Sequence, residues 1–221
     1  MEILYKDENI IAVYKEAGIP SQADPSGDAD AMTLTCEELS SEGEKNCELF
    51  LVHRLDRVVG GVLVFARNRK YASILSEAVA QRGAEKEYLA VVEGDAPGGV
   101  MTDLLYKDAR SGKAFVVDRK RAGVKEASLE YERVASVTTD SATLTLVRVK
   151  LHTGRFHQIR VQFSSRALPI VGDGKYGSRD KTAHLPSLFA CRFALKINSR
   201  NYEFKKMPDR EKYPWSLFNY D

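Results

Sequence analysis

The apolar residues of this chain come in short runs and in alternation, which restricts it to a fold built on a sheet. Ile10-Ile11-Ala12-Val13-Tyr14, Phe50-Leu51-Val52-His53-Arg54, Val62-Leu63-Val64-Phe65-Ala66 and Tyr88-Leu89-Ala90-Val91-Val92 each read as one strand. Thr143, Thr145, Val147 and Val149 alternate with Leu144, Leu146, Arg148 and Lys150, a period of two that puts the two sets on opposite faces. Asp140-Ser141 reads as the turn back to a strand at 128–137, and further strands are expected near 188–197 and 201–206. Helical spacing is clear at Ala72, Leu75, Ala78 and Val79, with Asn68 as the cap and Gly83 as the stop of a helix over about 69–82. Residues 32–41 are expected to form a short helix. No internal repeat, low-complexity tract or linker divides the 221 residues, so the expected fold class is α+β, one domain on a mixed sheet.

No apolar run approaches the roughly 18 residues that span a bilayer. The opening MEILYKDENI lacks the basic-then-apolar order of a signal peptide. Both point to a cytoplasmic protein and away from a membrane partner. Cys36, Cys47 and Cys191 contain no C-x-x-C pair; this odd, sparse set is read as reduced thiols, against a disulfide framework and against zinc. Charge is unevenly placed: residues 1–50 carry 3 Lys/Arg against 12 Asp/Glu, a net of −9, and the remainder 30 against 19, a net of +11. Such asymmetry is a mark of polyanion binding, because basic side chains near phosphates release counterions. The densest basic stretch, Lys107 to Lys125 with Arg119-Lys120-Arg121, fits either a binding site or, as is commoner for such runs, a solvated hairpin.

Four segments carry candidate chemistry. His53-Arg54-Leu55-Asp56-Arg57 ends an apolar run beside Gly60-Gly61; if the strand continues, Arg54 and Asp56 share a face. The competing reading is an aspartate capping a turn between two surface arginines. Leu151-His152-Thr153-Gly154-Arg155-Phe156-His157-Gln158-Ile159-Arg160-Val161 takes an alternating strand into a polar helix start. A buried aspartate needs a partner to stay ionised, and an arginine fork supplies one. Glu87-Tyr88-Leu89-Ala90-Val91 opens a strand with a tyrosine, which by itself reads as core. Gly172, Gly174 and Gly177 satisfy G-x-G-x-x-G, but no helical pattern follows directly and no acidic residue lies at the ribose position, so a glycine-rich turn is expected rather than a dinucleotide site. His152 and His157 are five apart with no carboxylate between them and do not form a metal motif.

Taken together, His53-Arg54-Leu55-Asp56-Arg57, Glu87-Tyr88-Leu89-Ala90-Val91, Thr153-Gly154-Arg155-Phe156-His157-Gln158-Ile159-Arg160 and Gly172-Asp173-Gly174-Lys175-Tyr176-Gly177 resemble the RluA-type pseudouridine synthases, in the family's order. The segment Lys15-Glu16-Ala17-Gly18-Ile19-Pro20 after the first strand is similar too. The resemblance implies one catalytic domain, a mixed and largely antiparallel sheet with flanking helices, and a central RNA-binding cleft. It implies a monomer acting on ribosomal or transfer RNA, without a metal or organic cofactor. It assigns catalysis to Asp56, Tyr88 and Arg160, with Asp56 the nucleophile and Arg160 its partner, and RNA contact to Arg54, Arg57, Arg155, His157 and Gln158. Arg54 matches the residue that helps displace the target base. The sequence departs from the pattern at Val58-Val59-Gly60-Gly61, where Thr-Ser precedes the glycine in many members, and at Gln162, where a histidine is common. The N-terminal α-L RNA-binding domain of many relatives is expected to be absent. An RNA-binding protein that keeps the fold without catalysis is the alternative that an isomerisation assay separates.

Overall fold

The computed structural model describes residues 1–139 and 142–220, so the turn expected at Asp140-Ser141 lies outside the described residues. In chain order the elements are β1 (Glu2–Lys6), β2 (Ile10–Lys15), α1 (Ala31–Ser41), β3 (Phe50–Leu51), β4 (Gly60–Ala66), α2 (Arg69–Ala80), β5 (Ala84–Glu93), β6 (Gly98–Asp108), β7 (Lys113–Val117), β8 (Val124–Thr138), β9 (Thr143–Leu151), α3 (Gln158–Ser164), β10 (Leu188–Ile197) and β11 (Arg200–Lys205). Short 3-10 turns add Gly174–Tyr176 and Trp215–Leu217. The fold is α+β, as the alternation implied. The chain divides into two compact units: Met1–Lys86 with Ala190–Met207, and Glu87–Phe189 with Pro208–Asp221.

In the first unit the strands run in the order β1-β2-β4-β10, with β11 beside β10 and β3 beside β4. The pairs β1–β2, β2–β4, β3–β4 and β10–β11 are antiparallel. Every residue of β4 is buried, which is why its sequence is a continuous apolar run rather than an alternation. One face of this sheet gathers Ile10, Ala12, Val62, Val64 and Phe193 with Leu75 of α2. Asn68 caps α2 by accepting the Tyr71 backbone N–H at 3.0 Å. Asp30 caps α1 in the same way, accepting from the N–H groups of Met32 and Thr33. His53 lies within this core. Its ring stacks on Phe193 at 4.5 Å, and its Nε2 accepts the Val64 N–H at 3.0 Å. Accepting at Nε2 makes the ring neutral with its proton on Nδ1.

Two expectations are corrected here. The run Phe50 to Arg54 is a strand only at Phe50–Leu51; residues 53–57 are loop, so strand alternation does not set the directions of Arg54 and Asp56. Cys36 and Cys47, expected as free thiols, form a disulfide, because the chain turns back after α1 and brings their Cα atoms to 5.4 Å. Cys191 is a buried free thiol.

In the second unit the order is β5-β9-β8-β6-β7, and the pairs β5–β9, β8–β9, β6–β8 and β6–β7 are antiparallel. Leu105, Ala114, Ala127, Val161 and Tyr176 make a small core between the β6–β7–β8 face and α3.

Two outcomes follow from this packing. Gly61 has φ +130°, and a Cβ built there would lie 2.3 Å from the Ala190 carbonyl oxygen. Gly61→Ala should therefore lower stability by at least ~2 kcal/mol, read by urea denaturation, since neither backbone can yield cheaply. The second outcome concerns acid. Burial pushes the His53 pKa from 6.5 down to about 3, with the nearby Lys86 adding to the effect. The unfolded chain takes up a proton below pH 6.5 while the native ring does not until about pH 3. Stability is thus full above pH 6.5 and is lost as pH falls toward 3, by up to about 1.4 kcal/mol per pH unit. His53→Gln should flatten this part of the stability–pH curve; an unchanged slope would show that His53 is not the titrating group.

Candidate active site

The segment Arg54 to Arg57 has no secondary structure, yet it is fixed on both sides of Asp56. The Ser21 hydroxyl donates to the Leu55 carbonyl at 2.9 Å and accepts the Leu55 N–H at 3.1 Å. The Arg57 carbonyl accepts the Gly18 N–H at 2.8 Å and the Lys15 ammonium at 3.2 Å. Lys15 is fully buried, and its Nζ also donates to the carbonyls of Ile19 (2.7 Å) and Glu16 (3.0 Å). Burial pushes its pKa down to about 7; the Asp56 charge pulls it back up, and Arg57 lowers it further. Asp56 itself is half-buried, and its carbonyl accepts the Val59 N–H at 2.9 Å, closing a turn. The effect is a carboxylate on a short loop whose neighbours on either side cannot move independently.

The two arginines of this motif differ. Arg54 is exposed and, among the described residues, has neither a hydrogen bond nor an ion pair. Arg57 is engaged: its Nε donates to the Gly18 carbonyl at 2.9 Å, and its guanidinium meets Ser26 and Asp28. It ties down the loop that follows β2.

Tyr88 lies on β5, 8% exposed, opposite Val149 of β9. Past β9 the chain turns through Thr153 and Gly154 into α3, and Gln158 holds that turn. Its Oε1 accepts from the Thr153 hydroxyl (2.7 Å) and the Arg155 N–H (3.0 Å), and its Nε2 donates to the Ser128 carbonyl at 3.1 Å. His157 has φ +52°, a conformation that costs a non-glycine residue energy and persists where surrounding contacts impose it. Those contacts are visible. The Tyr176 hydroxyl accepts the Ala114 N–H at 2.8 Å and lies 2.8 Å from His157 Nδ1. The hydroxyl and the ring share a hydrogen bond whose donor is set by the histidine tautomer. Burial, and then Arg160, Lys175 and Lys107, push its pKa down to about 3.

Arg160 is 4% exposed and forms a two-pronged pair with Asp173, 1% exposed, at 2.7 and 2.8 Å. Its guanidinium also lies 5.1 Å from the Tyr176 ring centroid. Asp173, Tyr176 and Lys15 belong to quoted motifs, but sequence reasoning assigned them no role. The acid inside a G-x-G-x-x-G turn was the available signal for Asp173. The glycines there are backbone requirements: Gly172 has φ +80°, and a Cβ on it would sit 2.3 Å from the Leu185 carbonyl oxygen. At the other departure, Gln162 Nε2 donates to Asp103 at 2.6 Å while its buried Oε1 has no partner among the described residues.

Comparison with known proteins agrees with this arrangement. Residues 9–165 match the family model described as RNA pseudouridylate synthase. The tRNA pseudouridine synthase C of Haemophilus ducreyi is 31% identical, covering 92% of this chain and 85% of that protein. The ribosomal large subunit pseudouridine synthase C of Salmonella typhi is 34% identical over 80% of this chain, which spans 54% of that longer protein. Among solved structures, human RNA pseudouridylate synthase domain containing 4 superposes with a TM-score of 0.76 at 25% identity, covering 95% of this chain and 89% of that one. With the family model spanning most of the chain and the likeness extending to both sequence and fold, the chain belongs to the RNA pseudouridylate synthase family and is an RNA pseudouridine synthase.

Proposed function

We propose that Asp56 is the nucleophile of this synthase, that Tyr88 and Arg160 act with it, and that the substrate is a structured transfer or ribosomal RNA in the cytoplasm. The observation that carries the assignment is the loop around Asp56. A reactive carboxylate gains from being held where it is needed, and here Ser21 and Lys15 fix the residues on both sides of it. In the reaction the uracil N1–C1′ bond breaks, the base turns, and C5 joins C1′. The C5 proton leaves and N1 gains one, so composition is unchanged and the chemistry calls for no redox partner.

The target base must first leave its stack, at a cost of a few kcal/mol. Arg54, exposed and without a partner among the described residues, suits the space the base vacates. Tyr88 is assigned to the base, by stacking or by assisting removal of the C5 proton. Arg160 is assigned to keep Asp56 ionised. Its fork is held by Asp173, which supports a fixed rather than a mobile cation. Arg57, His157 and Gln158 have internal partners, which favours roles in shaping the site over direct contact with RNA.

Asp56→Asn should lower turnover by on the order of 10³-fold or more while the protein still melts and binds RNA as before. Tritium release from RNA carrying 5-tritiated uridine measures it, and wild-type turnover would remove Asp56 from the mechanism. Arg160→Met should cost ~3–5 kcal/mol of stability, because it leaves Asp173 buried without its counter-charge. Adding Asp173→Asn should restore most of that stability and none of the activity. A double variant that regains turnover would reduce Arg160 to a structural role. Arg155→Met, whose Nε donates to the Glu126 carbonyl at a more exposed place, should be much milder in both readings.

A further inference from the structure

The second unit carries a stretch in which cations outnumber acids, and three exposed lysines of this region and its neighbourhood have no ion pair among the described residues. Between Lys107 and Lys125 there are seven Lys/Arg and two Asp/Glu. One of those acids, Asp108, is engaged in its own turn, accepting from the Ser111 hydroxyl at 2.7 Å and the Arg110 N–H at 3.0 Å. Several cations elsewhere in the unit are matched: Arg148 with Glu132, Lys150 with Glu130, Arg133 with Asp95, Arg166 with Asp103. Lys107, Lys125 and Lys175 are exposed and, among the described residues, have no ion pair.

Strand register places these three together. Leu105 is buried against Val161 and Tyr176, so its face of β6 looks toward α3. Lys107, two residues on, shares that face, and Lys125 is the cross-strand neighbour of Leu105 on β8. The Lys107 ammonium lies 4.5 Å from the Phe156 ring centroid. Lys175 reaches the β6–β7 turn, where a Cβ built on Gly112 would be 3.4 Å from its Nζ. Arg155 bonds the Glu126 carbonyl, next to Lys125. Arg121, by contrast, lies 4.8 Å over Tyr106, which alternates to the opposite face.

We propose that Lys107, Lys125, Lys175 and Arg155 form a phosphate-binding face that holds the backbone of the RNA substrate. The proposal rests on the synthase reading for its partner. Unpaired ammonium groups clustered at a sheet end suit a polyanion, whose phosphates would replace condensed counterions. An exposed cation capping a half-buried aromatic is fixed in place rather than free to swing, which suits it to a defined contact.

The test uses the full chain and a fluorescein-labelled RNA hairpin, with affinity measured across a salt series. The variant Lys107→Gln/Lys125→Gln/Lys175→Gln should melt like wild type, bind ~10-fold or more weakly at low salt, and show a log K against log salt slope shallower by about 2 to 3. The comparison variant Arg119→Gln/Lys120→Gln/Arg121→Gln should lose less on both measures. Wild-type affinity and slope in the first variant would overturn the proposal, as would a larger loss in the comparison variant, or weaker binding with an unchanged slope. Tritium release by the wild-type protein from transfer and ribosomal RNA transcribed with 5-tritiated uridine tests the synthase reading separately, so failure of either can be recognised.

Discussion

A single buried ammonium organises the loop that carries Asp56. Lys15 ends β2 with its side chain wholly out of solvent, and its three N–H groups meet carbonyls from Glu16, Ile19 and Arg57. Removing a charge from water is costly, so such a lysine persists only where several acceptors surround it. The dependence runs both ways. Those carbonyls sit in segments without secondary structure, where a buried acceptor left without a donor costs about 1–3 kcal/mol. Ser21 and His53 extend the arrangement, one holding Leu55 and the other docking the start of the motif on β4. An irregular loop thereby acquires the rigidity of the strands flanking it.

The second unit uses the same economy with different groups. Gln158 replaces a helix cap for the turn before α3, and Tyr176 joins His157 to the β7 backbone. Asp173 fixes Arg160 in one orientation. Each polar side chain of the Thr153 to Arg160 motif described here has an internal partner. The motif's regularity therefore reflects the geometry of a strand-to-helix junction as well as whatever the site does to RNA.

The strands of both units were legible because burial on one or two faces leaves a direct imprint: a continuous run in β4, an alternation in β9. The caps at Asn68 and Asp30 act through local hydrogen bonds, but only the first was apparent, since α1 buries just Ala31, Thr35 and Leu39. β6 and β7 were not legible: β6 begins with two glycines and buries only Met101 and Leu105, and the five residues of β7 bury only Ala114. The Phe50 to Arg54 run misled because apolarity there serves core packing of a loop, with His53 accepted into the core as a neutral ring. Asp56, Tyr88 and Arg160 were singled out through motif resemblance. Lys15 and Asp173 were not assigned, because their partners are backbone carbonyls and a residue thirteen positions away, neither of which a spacing pattern encodes. The Cys36–Cys47 link escaped for a similar reason, depending on how the chain returns after α1.

The division of the chain also bears on how it is made. The first unit draws on residues 1–86 and then on 190–207, with the second unit's main segment between. β4, buried along its whole length, neighbours β10. During synthesis, the segment through residue 86 leaves the ribosome well before β10 exists. For the time taken to translate about a hundred residues, at roughly 5–20 residues per second, the β4 edge that β10 will cover is open. An apolar strand edge in that state is prone to pair with the wrong chain. The segment from Glu87 to Phe189 meets no such delay, since most of its unit is contiguous. Order of emergence thus gives the half of the protein that bears Asp56 the longer wait between its first segment and its last.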